Sequence, residues 1–136
     1  MRTTIKMTLL IFIALLNGNC NSNQSSKLAN HKGNIDVLLP IEFNQKMENQ
    51  LLIDIRTPKE FEQGHIEGVV NINFYDGNFL NEISKFDKTK PIFIYCRSGN
   101  RTSSASEKMA KLGFIKIYDL QGGIKKWQKN KLKIVK

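Results

Sequence analysis

Short apolar runs separated by helix-forming stretches constrain this chain more than any other feature. Residues 51–55 (LLIDI), 69–72 (VVNI), 92–95 (IFIY) and 115–118 (IKIY) are rich in β-branched or aromatic side chains and are bounded by Gly, Pro, Asp or Asn. A strand with one wet face alternates apolar and polar residues, whereas a nearly continuous apolar run suits a strand covered on both faces, the usual environment of a parallel sheet. A weaker run at 37–39 is a further strand candidate. Helices between successive parallel strands make right-handed crossovers and build layers on both sides of the sheet. The expected fold is therefore α/β in three layers, with a mainly parallel sheet of about five strands and helices on both faces.

Helical signals lie where this scheme needs them. At 41–49, Ile41, Phe43 and Met47 supply part of an inward stripe. Thr57, Pro58 and Glu60 make a start signal: the hydroxyl can cap, the proline fits the first helical position, and the glutamate can reach back to the cap amide. Gly64 ends that helix early. Within 102–112, Ala105, Met109 and Leu112 recur at helical spacing, and Gly113 supplies the stop. Gly122 and Gly123 then turn the chain into a last helix carrying Trp127, which is read, with Leu112 and Phe114, as core.

The chain begins with a different kind of segment. Arg2 and Lys6 precede an apolar run at 7–16, broken only by Thr8, and Asn17, Gly18, Asn19 and Cys20 follow. As a helix this run would extend about 15 Å against a bilayer core of roughly 30 Å, so 1–19 reads as a secretory signal rather than a membrane span. The arrangement resembles a bacterial lipoprotein signal, in which the cysteine after the apolar run is lipidated and becomes the N-terminus. Asn17 and Asn19 depart from the residues that pattern favours, so lipidation of Cys20 and simple cleavage both stay open. Residues 20–34, including NSNQSS, form a polar linker, and 35–136 form one domain. Export to a bacterial periplasm or cell envelope is expected, with membrane anchoring if Cys20 carries lipid.

Lysines and arginines number 21 against 12 acids in 136 residues, a formal charge of +9. Such a balance favours anionic substrates, anionic lipid or nucleic acid, and export argues against the last. Residues 125–136 hold six lysines and no acid, a stretch that suits either headgroup contact or a solvated face. Two cysteines, Cys20 and Cys96, are too few for a disulfide scaffold or a four-ligand zinc site.

In open α/β sheets, ligands gather beyond the carboxyl ends of the strands, and the run at 92–95 delivers Cys96 to such an end. Arg97, Ser98, Gly99, Asn100, Arg101 and Thr102 follow it. A tight loop closing onto a helix N-terminus turns unpaired backbone N–H groups inward, and their partial positive charge favours the nucleophilic thiolate. Gly99 permits a positive φ or a close backbone approach, and Arg97 and Arg101 bring planar forks suited to an oxyanion. The plain alternative is a small buried cysteine ending a strand beside two solvated arginines.

The segments LLIDIRTPKEFEQGHIEGVVNI, IFIYCRSGNRTSSASEKMAKLGF and LQGGIKKW, in that order, resemble the rhodanese family of single-domain sulfurtransferases. The resemblance implies a rhodanese-like fold in which Cys96 carries a sulfane sulfur as a persulfide and the six-residue loop from Cys96 to Arg101 cradles it, with Thr102 next to it counted among the substrate-binding residues. It further implies that Asp54 and Arg56 support the loop, that His65 and Gly68 shape a turn, and that no metal or organic cofactor is needed. The partners implied are a small anionic donor such as thiosulfate, held by Arg97 and Arg101, and a thiol or cyanide acceptor; a monomer is expected. Two rival readings share the fold. A non-catalytic binding module would use the basic surface at a membrane. A phosphatase or arsenate reductase would place an arginine after five residues, whereas here four residues separate Cys96 from Arg101 and Thr102 stands at the phosphatase position.

Overall fold

The computed structural model describes residues 33–136. The strands are β1 (Asn34–Leu38), β2 (Leu51–Asp54), β3 (Val70–Asn71), β4 (Ile92–Tyr95) and β5 (Lys116–Leu120). Between and after them lie α1 (Pro40–Lys46), α2 (Pro58–Glu62), α3 (Phe79–Ser84), α4 (Asn100–Lys111) and α5 (Gly123–Lys129). All strand pairs are parallel, and their order is β1-β5-β4-β2-β3. The expected α/β sheet of five strands with helices on both faces is what the chain forms. The signal-like segment 1–19, Cys20 and most of the polar linker lie outside the described residues.

The central strand explains the layering. Every residue of β4 is buried, and its side chains alternate between two apolar clusters. Ile92 and Ile94 join Ile53, Phe79, Ile83, Ala105, Met109, Phe114 and Ile117 beneath α3 and α4. Phe93 and Tyr95 join Phe43, Leu52, Ile66, Ile124 and Trp127 beneath α1 and α5. Trp127 and Phe114 are core, as their sequence setting suggested: Trp127 stands edge-on to Phe43 and its indole N–H donates to the Lys133 carbonyl at 2.9 Å.

Several boundaries differ from those read in the sequence, each for a local reason. Strand β1 runs from Asn34 rather than from residue 37; as an edge strand it leaves Val37 57% exposed, which hides its apolar signature. Gly33, placed in the linker by the sequence, packs under the Phe114 carbonyl, where a Cβ would stand 1.9 Å away. The first helix begins at Pro40 and ends at Lys46, short of residue 49. Helix α2 has the expected capping box, with Thr57 and Glu60 exchanging hydrogen bonds. Helix α3 carries no strong sequence signal; its six residues are held by Phe79 and Ile83 buried against the sheet.

Candidate active site

Cys96 is the first residue beyond β4 and belongs to the cluster beneath α4, because alternate residues from Ile92 onward face that side. Gly99 adopts φ +102, which folds the chain back so that its N–H donates to Cys96 Sγ at 3.1 Å. Helix α4 starts at the next residue, so Asn100, Arg101 and Thr102 form its first turn. The helix was expected to start at Thr102; the left-handed cap at Gly99 brings it forward. Thr102 is buried, its hydroxyl donates to the Gly99 carbonyl at 3.0 Å, and the same oxygen lies 3.8 Å from Sγ.

The carbonyls of this loop are drawn the other way. The N–H groups of Ile124 and Lys125, in the first turn of α5, donate to the carbonyls of Cys96 and Arg97 at 2.9 and 3.2 Å. A trans peptide points its N–H opposite to its C=O. With those two carbonyls turned toward α5, the N–H groups of Arg97 and Ser98 face away from it, toward the side of the sheet that holds the sulfur. Gly123 makes this seat possible. A Cβ there would stand 2.5 Å from both the Cys96 oxygen and the Arg97 carbonyl carbon, and its φ is +59. The sequence marked the Gly-Gly pair as a turn; its larger role is to let α5 touch the loop backbone.

Arg101 does not stand free to receive an oxyanion, as the sequence suggested. Its fork is engaged by Glu60 through two bonds of 2.7 and 2.8 Å, and its guanidinium lies 5.4 Å from the Tyr75 ring centre. The Arg101 hydrogen bonds, helped by the Thr57 backbone and hydroxyl, outweigh burial and hold the Glu60 carboxyl down at about 2. Glu60 therefore caps α2 and ties it to the first turn of α4. The capping role was legible from three residues of spacing; the pairing with Arg101 spans 41 residues and had no local signal.

Arg97, Ser98 and Asn100 are exposed. Arg97 and Lys125 line a cavity of about 290 Å³ together with Arg56, Glu60, Gln63 and Gln128. Among the described residues neither Arg97 nor Lys125 enters a salt bridge, and Lys125 is a site candidate that the sequence merged into a basic tail. Cys96 is 1% exposed and lines neither this cavity nor the second one, beside β1; the loop is closed over the sulfur.

Asp54 and Arg56 form a buried pair, with Nη2 to Oδ2 at 2.6 Å and both Nε contacts at or below 3.0 Å. Burial opposes the Arg56 charge, but the bonds and attraction of Asp54 hold its guanidinium above its ordinary value. Their outward bond runs to the Gly64 carbonyl at 2.7 Å, so they brace the turn after α2. Contact with the loop is indirect, through Tyr95, over whose ring Arg56 lies 5.6 Å from the centre. The Tyr95 hydroxyl accepts from the Ile66 N–H at 3.1 Å, and burial pushes its pKa well above the phenol range. His65 stacks on Phe61 with ring centres 3.8 Å apart and exchanges backbone bonds with Val135 at 2.8 Å, the scaffold setting expected for it. Among the described residues no three His, Cys, Asp or Glu side chains converge as metal ligands do.

Residues 39–130 match the family model described as Rhodanese-like domain. The chain belongs to that family. The rhodanese-like match covers most of the described residues, from the end of β1 through α5. The domain is 37% identical over 86 residues to the Bacillus subtilis protein YqhL, spanning 63% of this chain and 67% of that one. It is 35% identical over 88 residues to a protein of Allochromatium vinosum named sulfurtransferase, spanning 65% and 80%. It is 31% identical over 93 residues to the thiosulfate sulfurtransferase GlpE of Pseudomonas syringae pv. syringae, spanning 66% and 85%. A rhodanese-related protein from Thermoplasma volcanium superposes with a TM-score of 0.66 at 24% identity, over 73% of this chain and 96% of its own, a likeness of fold. Membership of a sulfurtransferase family agrees with a cysteine at a strand end whose sulfur accepts the Gly99 backbone N–H.

Proposed function

We propose that this protein is a thiosulfate-type sulfurtransferase working by double displacement. Cys96 thiolate attacks the outer sulfur of thiosulfate or a related anionic donor; the S–S bond of the donor breaks, sulfite leaves with the bonding pair, and Cys96 becomes a persulfide anion. A thiol or cyanide then attacks the terminal sulfur and returns the thiolate. One negative charge sits at the loop centre before and after each half-reaction, so the same amides serve both states without rearranging. The 3.1 Å bond from the Gly99 N–H to Sγ carries this reading.

Arg97 and Lys125 are the cations assigned to the sulfonate end of the donor, in place of the Arg97 and Arg101 pair. Arg101 instead holds α2 against α4 through Glu60. That engagement also weighs against phosphatase chemistry, which needs the loop arginine on the phosphate oxygens. The loop as closed over Cys96 is the resting form in this reading, and the donor displaces exposed side chains at its mouth. Export and attachment through Cys20 belong to the same proposal, on the signal-like pattern of residues 2–20; lipid labelling of wild type against Cys20→Ser checks the attachment.

The test is a thiosulfate-to-cyanide assay of wild type and Cys96→Ser with a phosphate-ester control, alongside intact mass. The expected result is turnover that Cys96→Ser abolishes and a gain of about 32 Da, one sulfur atom, on donor-treated wild type. Folded, reduced wild type that gains no sulfur, or that hydrolyses the ester instead, overturns the proposal.

A further inference from the structure

On the far side of the loop from Arg97 and Lys125, a second cavity of about 370 Å³ opens between β1, β5 and the start of α4. Its charge is reversed relative to the chain. In a protein with 21 basic and 12 acidic residues, the lining of this cavity contains Asp119 and Glu107 and no lysine, arginine or histidine. Asp119 follows Ile117 by two residues on β5, so it faces α4. Ser106, one turn beyond Thr102 on α4, lines the same space.

Two polar atoms there have no partner. Ser106 Oγ and Asp119 Oδ1 are buried and unbonded, in residues that are 1% and 5% exposed. A buried acceptor without a donor is destabilising, and more so when it is charged. Burial, partly opposed by the Thr102 hydroxyl, raises the Asp119 carboxyl to about 6, so at neutral pH it is an anion in want of N–H donors. Ile35, Val37 and Leu120 give the same cavity an apolar wall. Two carboxylates, one of them exposed, fall short of the six or more oxygens a hard divalent cation takes. An ammonium group brings three donors and one charge, and a short aliphatic tail suits the wall.

We propose that this cavity binds a small aliphatic primary amine, its ammonium group donating to Asp119 and Ser106 and its tail lying on Ile35 and Val37. The wall nearest the catalytic loop is formed by Ser98 and Gly99, and Gly99 is the residue whose N–H reaches Cys96 Sγ. Occupancy therefore bears on the backbone that seats the sulfur. The binding site itself does not depend on sulfur transfer being the activity.

The experiment is a titration of the isotope-labelled full chain with n-butylammonium chloride, followed by backbone amide NMR at pH 8. Sodium chloride, n-butanol and magnesium chloride serve as parallel probes. Saturable shifts centred on Ser98, Gly99, Ser106, Asp119 and Gln121, with half-saturation at about 10 mM or below, are expected for butylammonium alone. Asp119→Asn is expected to weaken the binding about tenfold or more, and Ser106→Ala a few-fold. Ser106→Ala carries the test if Asp119→Asn does not fold. Shifts given equally by n-butanol or sodium chloride, saturation by magnesium in place of the amine, absence of saturable shifts, or unchanged affinity in the folded variants each overturn the proposal.

Discussion

Replacing Gly123 by alanine tests whether α5 sets the geometry of the sulfur loop. The added Cβ would meet the Cys96 oxygen and the Arg97 carbonyl carbon at 2.5 Å and the Arg97 oxygen at 2.6 Å. These are backbone atoms that cannot swing aside. Two costs combine: a left-handed conformation in a non-glycine residue, about 1–2 kcal/mol, and overpacking that must push α5 off the loop, about 1–3 kcal/mol. Gly68→Ala separates them. Gly68 has φ +79 and nothing within 4 Å of its would-be Cβ, so it carries the conformational cost alone. Urea denaturation should show Gly123→Ala losing about 2–5 kcal/mol and Gly68→Ala about 1–2 kcal/mol. The Gly123→Ala protein should also form the Cys96 persulfide at least about tenfold more slowly, because the bonds from Ile124 and Lys125 that orient the loop carbonyls are lengthened. Equal destabilisation of the two variants, or a wild-type persulfide rate in Gly123→Ala, would refute the reasoning.

Three further outcomes follow from the same geometry. Arg97→Ala and Lys125→Ala should each raise the KM for thiosulfate about three- to tenfold with kcat little changed, and the double variant should flatten its salt dependence, as steady-state kinetics at two ionic strengths will show. Glu60, depressed from 4.5 to about 2, contributes stability that is full above its unfolded pKa and lost as pH falls toward 2. Glu60→Gln should therefore lower urea stability by about 1 kcal/mol at pH 7, a modest figure for a partly exposed pair, and by less at pH 3. Asp119 shifts the opposite way, from 3.8 up to about 6, so its contribution is fully present below 3.8 and disappears as pH rises through 6. The stability of wild type relative to Asp119→Asn should thus fall by up to about 3 kcal/mol between pH 4 and pH 7, read from paired denaturation curves across the range.

The parts of this molecule that could be read from sequence are those decided within a few residues. Strands β2 and β4 announce themselves because residues buried on both faces are apolar with little interruption, and β5 shows through its β-branched and aromatic Ile117 and Tyr118. The α2 cap is legible because Thr57, Pro58 and Glu60 act within one turn. Cys96 stands out because a strand end, a glycine and two arginines adjoin it. Edge exposure hides β1, and α3 is too short for a periodic stripe to show. The fate of Arg101 depends on Glu60, brought near only by folding. The value of Lys125 as a partner for Arg97, and the burial of Ser106 and Asp119 side by side at the wall of one cavity, likewise exist only once α4, α5 and the sheet are in place.

The strand order carries a consequence for how the chain is made. Edge strand β1 lies near the start of the described residues, yet among those residues its only neighbour is β5, and Lys116, which pairs with Asp36, lies 80 residues downstream of it. At ribosomal speeds of about 5–20 residues per second, β1 waits several seconds with no hydrogen-bond partner before β5 emerges. Closing so long a loop is a late and slow event. The sheet therefore cannot be completed until β5, the last of its strands in chain order, has been synthesised, and until then the edge that β1 will occupy stays open.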